Sequence, residues 1–137
     1  MATPKLNLSK LAPILQNASP TMHIDCGVGW FDLILKFHNE AIKHDPKYIF
    51  LAVKEKYARM QIAFKSENHY MVLRDIEDAI SEESQGVCEL CGGQGSMCEI
   101  NSWEKNYCDS CFDNVVKINN YEDTTEKPIR TAVSKDH

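Results

Sequence analysis

The sequence predicts an α+β fold: two helices packed on a β-hairpin, followed by a C-terminal lobe held by four cysteines. Three patterns carry this. Trp30, Phe31, Ile34, Phe37, Ala41 and Ile42 fall on one face at helical period, as do Tyr70, Leu73, Ile76 and Ile80. Between these runs Arg59–Lys65 alternates strictly, with Met60, Ile62 and Phe64 directed inward, as in a half-buried antiparallel strand. Cys88/Cys91 and Cys108/Cys111 then form two C-x-x-C pairs separated by sixteen residues.

That spacing points to a single four-thiolate zinc site. A C-x-x-C turn presents two sulfurs from one tight loop, and Gly92 and Gly93 let the chain turn at little steric cost. The segment between the pairs is long enough for a short hairpin, which returns the second pair to the far side of the tetrahedron. Four cysteines close the coordination sphere, so the expected cofactor is one structural Zn2+ per chain and not a catalytic ion. Two structural disulfides are the competing reading, disfavoured where the cell keeps thiols reduced. Asp109 and Ser110 suit a helix start directly after Cys108, and Phe112, Val115 and Val116 can pack beneath the metal. A loop pair, a hairpin and a pair opening a helix is the order of a treble clef; a plain zinc ribbon would end its second pair in another glycine turn.

In chain order, residues 1–20 read as an N-terminal arm punctuated by Pro4, Pro13 and Pro20, with Leu8, Leu11 and Leu15 on one face of a short helical piece. An α+β core is expected over 21–85. It begins with a loop, H-I-D-C-G-V-G-W, in which Gly27 and Gly29 are pivots. The first helix ends at Asp45-Pro46, because the residue before a proline is pushed out of the α region. The apolar run Tyr48–Val53 and the alternating Arg59–Lys65 make the hairpin, turning within Lys54–Tyr57, with a basic outer face. The second helix covers Glu67–Glu83. The zinc lobe is assigned to 86–118, and the polar, aperiodic stretch 119–137 reads as a disordered tail.

With 137 residues, 43% hydrophobic content and no apolar run of transmembrane length, the chain fits one modest globular domain with a metal-stapled lobe. Met1–Lys10 has no secretion-signal core, and a cytoplasmic location is expected. The net charge of −5 is unevenly spread. Lys47, Lys54, Lys56, Arg59 and Lys65 face Glu55 alone, whereas Asp75, Glu77, Asp78, Glu82 and Glu83 form an acidic run. The overall acidity repels phosphate and weighs against a nucleic-acid grip, although the five cations keep that alternative open. Asp75, Asp78 and Glu82 share a helix face and are the candidate contacts for a protein partner with a basic surface.

Cys26, with His23 and Asp25 close in sequence, invites a thiol-enzyme reading. Catalytic Cys and His usually meet through the fold and not along a few residues, so no enzyme is expected. His38, His44 and His69 are read as solvated or capping histidines. Cys98 is read as a small buried hydrophobe and Trp103 as packing at the hairpin, or a binding anchor if exposed.

D-C-G-V-G-W-F-D-L-I, V-K-E-K-Y, C-E-L-C-G-G-Q-G and Y-C-D-S-C together resemble a family of small zinc-ribbon proteins encoded by bacteriophages and prophages, over roughly residues 22–114. Such proteins often continue V-K-E-K-F-G-x-L-R, where this chain has V-K-E-K-Y-A-R-M-Q, so a differently shaped hairpin turn is expected. The resemblance implies a mobile-element origin in a bacterial host cell. It also implies action by binding host machinery, with inhibition of a defence complex as one such role.

Overall fold

The computed structural model describes residues 9–126 and 129–135. Its elements are β1 (Ala18–Asp25), α1 (Phe31–His44), β2 (Ile49–Lys56), β3 (Arg59–Lys65), α2 (Tyr70–Ser84), β4 (Ser96–Ile100), β5 (Trp103–Tyr107), α3 (Asp109–Ile118), β6 (Glu122–Asp123) and β7 (Arg130–Val133). Short 3-10 turns cover Ala12–Asn17 and Val28–Trp30. The strands form two sheets, ordered β1-β2-β3 and β5-β4-β7-β6.

The hairpin of β2 and β3 and the helices on either side of it follow the predicted periods. Trp30, Ile34, Phe37 and Ala41 are fully buried with Phe50, Val53, Met60 and Leu73 in one core. Phe37 sits at its centre, its ring edge-on to Tyr48 at 5.8 Å and to Phe50 at 6.3 Å. Asp45 is extended and closes α1, as the following proline requires. The turn between β2 and β3 is two residues long, with Tyr57 and Ala58 at φ 53° and 67°. Positive φ at both positions matches the twist of the flanking strands, even though neither residue is glycine. Ala58 accepts the left-handed conformation and donates its N–H to Glu55 Oε2 at 2.8 Å.

Other expectations are extended or corrected. The N-terminal segment, read as an arm that docks on the body or on a partner, packs on the body within the described residues. Leu11 and Ile14 are buried in the main core while Leu15 is exposed, and Leu8 lies outside the described residues. Ala18–Asp25, read as arm and loop, is a strand pairing parallel to β2, with Ile24 opposite Val53. His38 is buried, not solvated, and its Nδ1 lies 2.7 Å from the Tyr48 hydroxyl. The stretch after 119 contains two strands, not only disordered chain. β7 inserts parallel to β4, with Glu99 opposite Thr131, and buries Ala132 beside Cys98, Ile100 and Phe112 in a second, smaller core.

α2 runs along the free edge of β3. Glu77, placed by the sequence in the outward acidic run, is buried, and its carboxylate accepts the Ile62 N–H at 3.1 Å. Ser84 Oγ accepts the Met60 N–H at 2.9 Å, and Arg59 Nε donates to Ser81 Oγ at 2.9 Å. Side chains of a helix thus satisfy the groups that would otherwise leave β3 an open edge. Tyr70, expected inward, is 44% exposed, and Ile76 is only partly buried.

Candidate metal centre

Each cysteine pair is positioned by its own local geometry. In the first pair Cys88 N–H donates to Gly93 O at 2.7 Å and Gly92 N–H to Cys88 O at 2.9 Å. Gly92 takes φ 83°, which closes the loop. Gly93 N–H points at Cys91 Sγ, 3.4 Å away. In the second pair Cys108 is the N-cap of α3, and its sulfur accepts the Cys111 N–H at 3.4 Å. The hairpin of β4 and β5 joins the two pairs, turning at Asn101 and Ser102 with φ 52° and 70°.

The four sulfurs converge, all lying within 4.8 Å of one another. Cys91 Sγ and Cys108 Sγ are 3.7 Å apart, close to the roughly 3.8 Å expected between thiolates 2.3 Å from a tetrahedral ion. Burial acts to raise the Cys88 thiol, but N–H groups from Cys108, Cys91 and Leu90 bring it down to about 7. Cys111 moves up, through burial and through the neighbouring thiols. Four thiols in so small a volume cannot all ionise without a positive ion among them, and this cluster can hold a metal ion.

A second layer of contacts was not evident from the sequence. The G-V-G-W loop does not merely pivot; it lies against the first cysteine turn. Gly29 N–H donates to Glu89 O at 2.7 Å, Gly27 N–H to Glu89 Oε2 at 2.8 Å, and Trp30 Nε1–H to Val87 O at 2.8 Å. A Cβ on Gly27 would collide with the Glu89 carbonyl, and one on Gly29 with the Cys88 carbonyl. Two glycines spaced by one residue before a large buried aromatic are the signal that backbone is meeting backbone here. On the other side of the lobe, Arg130 lies over the Phe112 ring at 4.4 Å and pairs with Asp113 at 2.6 Å and Asp123 at 3.1 Å.

Other candidate residues are placed as follows. Cys26 packs against the core, and burial together with the charges of Glu89 and Asp25 pushes its thiol up to about 12. Cys98 is buried, and burial pushes it up to about 11. His44 and His69 are exposed. Trp103 is 72% exposed and does not pack at the hairpin. Asp75, Asp78 and Glu82 are exposed on α2, with Asp78 Oδ1 3.6 Å from Arg74 Nε. Among the described residues no helix is long and apolar enough to cross a membrane.

Fold and site together define a mixed α+β protein with a four-cysteine cluster able to hold a metal ion. Compared with known proteins, the chain matches no family model, no curated protein and no solved structure.

Proposed function

We propose that this chain is a zinc-stapled binding module of the treble-clef type, which acts by occupying a surface on another protein. One structural zinc held by Cys88, Cys91, Cys108 and Cys111 would cross-link two chain turns in a lobe whose own core is small. The chain is not an enzyme in this reading, because the cysteine cluster leaves no open position and the Cys26 thiol stays protonated at neutral pH. The resemblance to small phage proteins suggests a bacterial cytoplasm as the site of action and a host defence complex as the target.

The observation that carries the proposal is the solvent face of α2. Met71 and Val72 are 69% and 40% exposed at its start, and Asp75, Asp78 and Glu82 follow on the same side. Apolar residues beside unburied carboxylates suit a partner with a basic rim around an apolar patch, and the carboxylates would act mainly on the association rate. The test is affinity capture from bacterial lysate with the parent chain and with an Asp75→Lys, Asp78→Lys, Glu82→Lys variant of unchanged melting behaviour. A partner held by the parent and lost by the variant supports the proposal; a partner held equally by both moves the interface elsewhere. Metal analysis of protein purified without chelator should find one zinc per chain. Paired disulfides or no metal would overturn the metal assignment.

A further inference from the structure

The cations of this chain are unevenly satisfied. Among the described residues Lys10, Lys36, Lys43, Arg74, Lys105 and Arg130 each have a carboxylate within 4.0 Å, and Lys135 reaches the Asn120 side-chain oxygen. Lys47, Lys54, Lys56 and Lys65 meet no carboxylate among the described residues, although the chain carries twenty acidic residues. Arg59 bonds only the Ser81 hydroxyl. These five share one surface; Lys117, at the end of α3, is another cation that meets no carboxylate among the described residues.

Strand register shows which surface it is. Lys54 lies opposite Gln61, Lys56 opposite Arg59, Ala52 opposite Ala63 and Ile49 opposite Lys65. These pairs alternate with the buried Val53/Ile62 and Phe50/Phe64 pairs, so they occupy the sheet face turned away from the core. Glu55, between two lysines in sequence, points the other way and pairs with Lys105 at 3.1 Å. Asp25 on β1 is the one carboxylate on that face of the three strands. Lys47 and Lys65 also line a groove of about 470 Å³ at the end of the face.

We propose that this open sheet face binds single-stranded nucleic acid, with Lys54, Lys56, Arg59 and Lys65 neutralising backbone phosphates. This goes beyond the protein-binding role of α2 and is independent of it. In the middle row Ala63 is exposed and Ala52 is largely buried, and their small side chains leave a flat floor on which a strand can lie. Three strands span about 10 Å, the width of one sugar-phosphate chain and not of a duplex. Tyr57, 70% exposed at the hairpin tip with the Lys56 ammonium 5.6 Å from its ring, offers an aromatic plane for one base. An acidic protein partner would need an apolar centre to bury, and the face supplies little beyond Ile49, the half-buried Leu51 beside it and Ala63. The acidic faces elsewhere are screened over about 8–10 Å at ordinary salt, so net charge does not decide the matter locally.

The experiment is fluorescence anisotropy of a labelled 20-nucleotide mixed-sequence single strand, titrated with the full chain between 50 and 200 mM salt. Four neutralised phosphates should cost about 50-fold in affinity over that range. Lys54→Gln with Lys65→Gln should roughly halve the slope of log affinity against log salt, while Lys117→Gln leaves it unchanged. Both variants are at exposed positions, and their melting curves are compared with the parent. The proposal is overturned by no binding at 50 mM salt, or by equal binding in parent and double variant. It is also overturned if polyglutamate displaces the strand at equal charge concentration, which would point to an acidic protein instead.

Discussion

The Glu77 carboxylate accepts the backbone N–H of Ile62 at 3.1 Å, placing a buried acid against the edge of β3. Burial raises its pKa above the ordinary 4.5, and the Ile62 hydrogen bond only partly opposes this. A carboxyl whose folded pKa is raised favours folding in its protonated form. Its contribution is fully present below the ordinary pKa and is lost as pH rises through the folded value. In Glu77→Gln the acceptor survives without the charge. Parent stability relative to this variant should therefore increase as pH falls from neutrality toward 4.5, measured by urea unfolding of both proteins. A constant difference across that range would show that the Glu77 pKa is the same in the folded and unfolded chain.

Gly29 is held against the Cys88 carbonyl, where a methyl group has no space and the obstacle is backbone. Gly29→Ala should cost about 1–3 kcal/mol, the usual range for overpacking. It should also weaken metal retention in chelator competition, because the displaced turn carries Cys88. Unchanged metal affinity would mean that the first cysteine turn holds its shape without the G-V-G-W loop.

Ser102 sits at φ 70° in the exposed turn between β4 and β5, preceded by Asn101, whose side chain accepts the Ser134 N–H at 2.7 Å. Asn-Gly is the preferred pair for such a turn. Ser102→Gly should stabilise the protein by about 0.5–1 kcal/mol, the relief of left-handed strain less the entropy glycine adds to the unfolded chain. A lowered melting temperature would count against the turn geometry.

Phe37 touches three aromatic rings and is fully buried. Phe37→Ala should cost about 3–5 kcal/mol in chemical unfolding. A much smaller loss would require a core able to collapse around the missing ring.

The cysteine cluster was legible because its signal is local: four residues of one rare type at fixed spacing. α1, β3 and α2 were legible because their burial follows a single period. What escaped reading depends on partners distant in sequence. β1 contains Pro20 and exposed polar residues, and only pairing with β2 makes it a strand. R-T-A-V is too short to carry a period, and Ala132 becomes core only once β4 lies beside it. Glu77 and His38 are polar residues on buried faces, each answered by a group far along the chain, the Ile62 N–H and the Tyr48 hydroxyl. The basic outer face of the hairpin was legible from the alternation of Arg59–Lys65; that its lysines meet no carboxylate among the described residues depends on how the other elements pack.

The position of β7 has a consequence for synthesis. The N-terminal sheet and both its helices are complete once Ser84 has emerged, so that part can fold while the rest is still being translated. The second sheet cannot close then, because β7 lies between β4 and β6 and comes last among its strands. At about 5–20 residues per second, the roughly thirty residues from β4 to β7 take seconds to arrive. By the end of that interval both cysteine pairs have been made, while β4 is still paired on one side only. Capture of a metal ion by the nascent lobe would then precede completion of its sheet, fixing the hairpin and α3 as the template on which the last strand is laid.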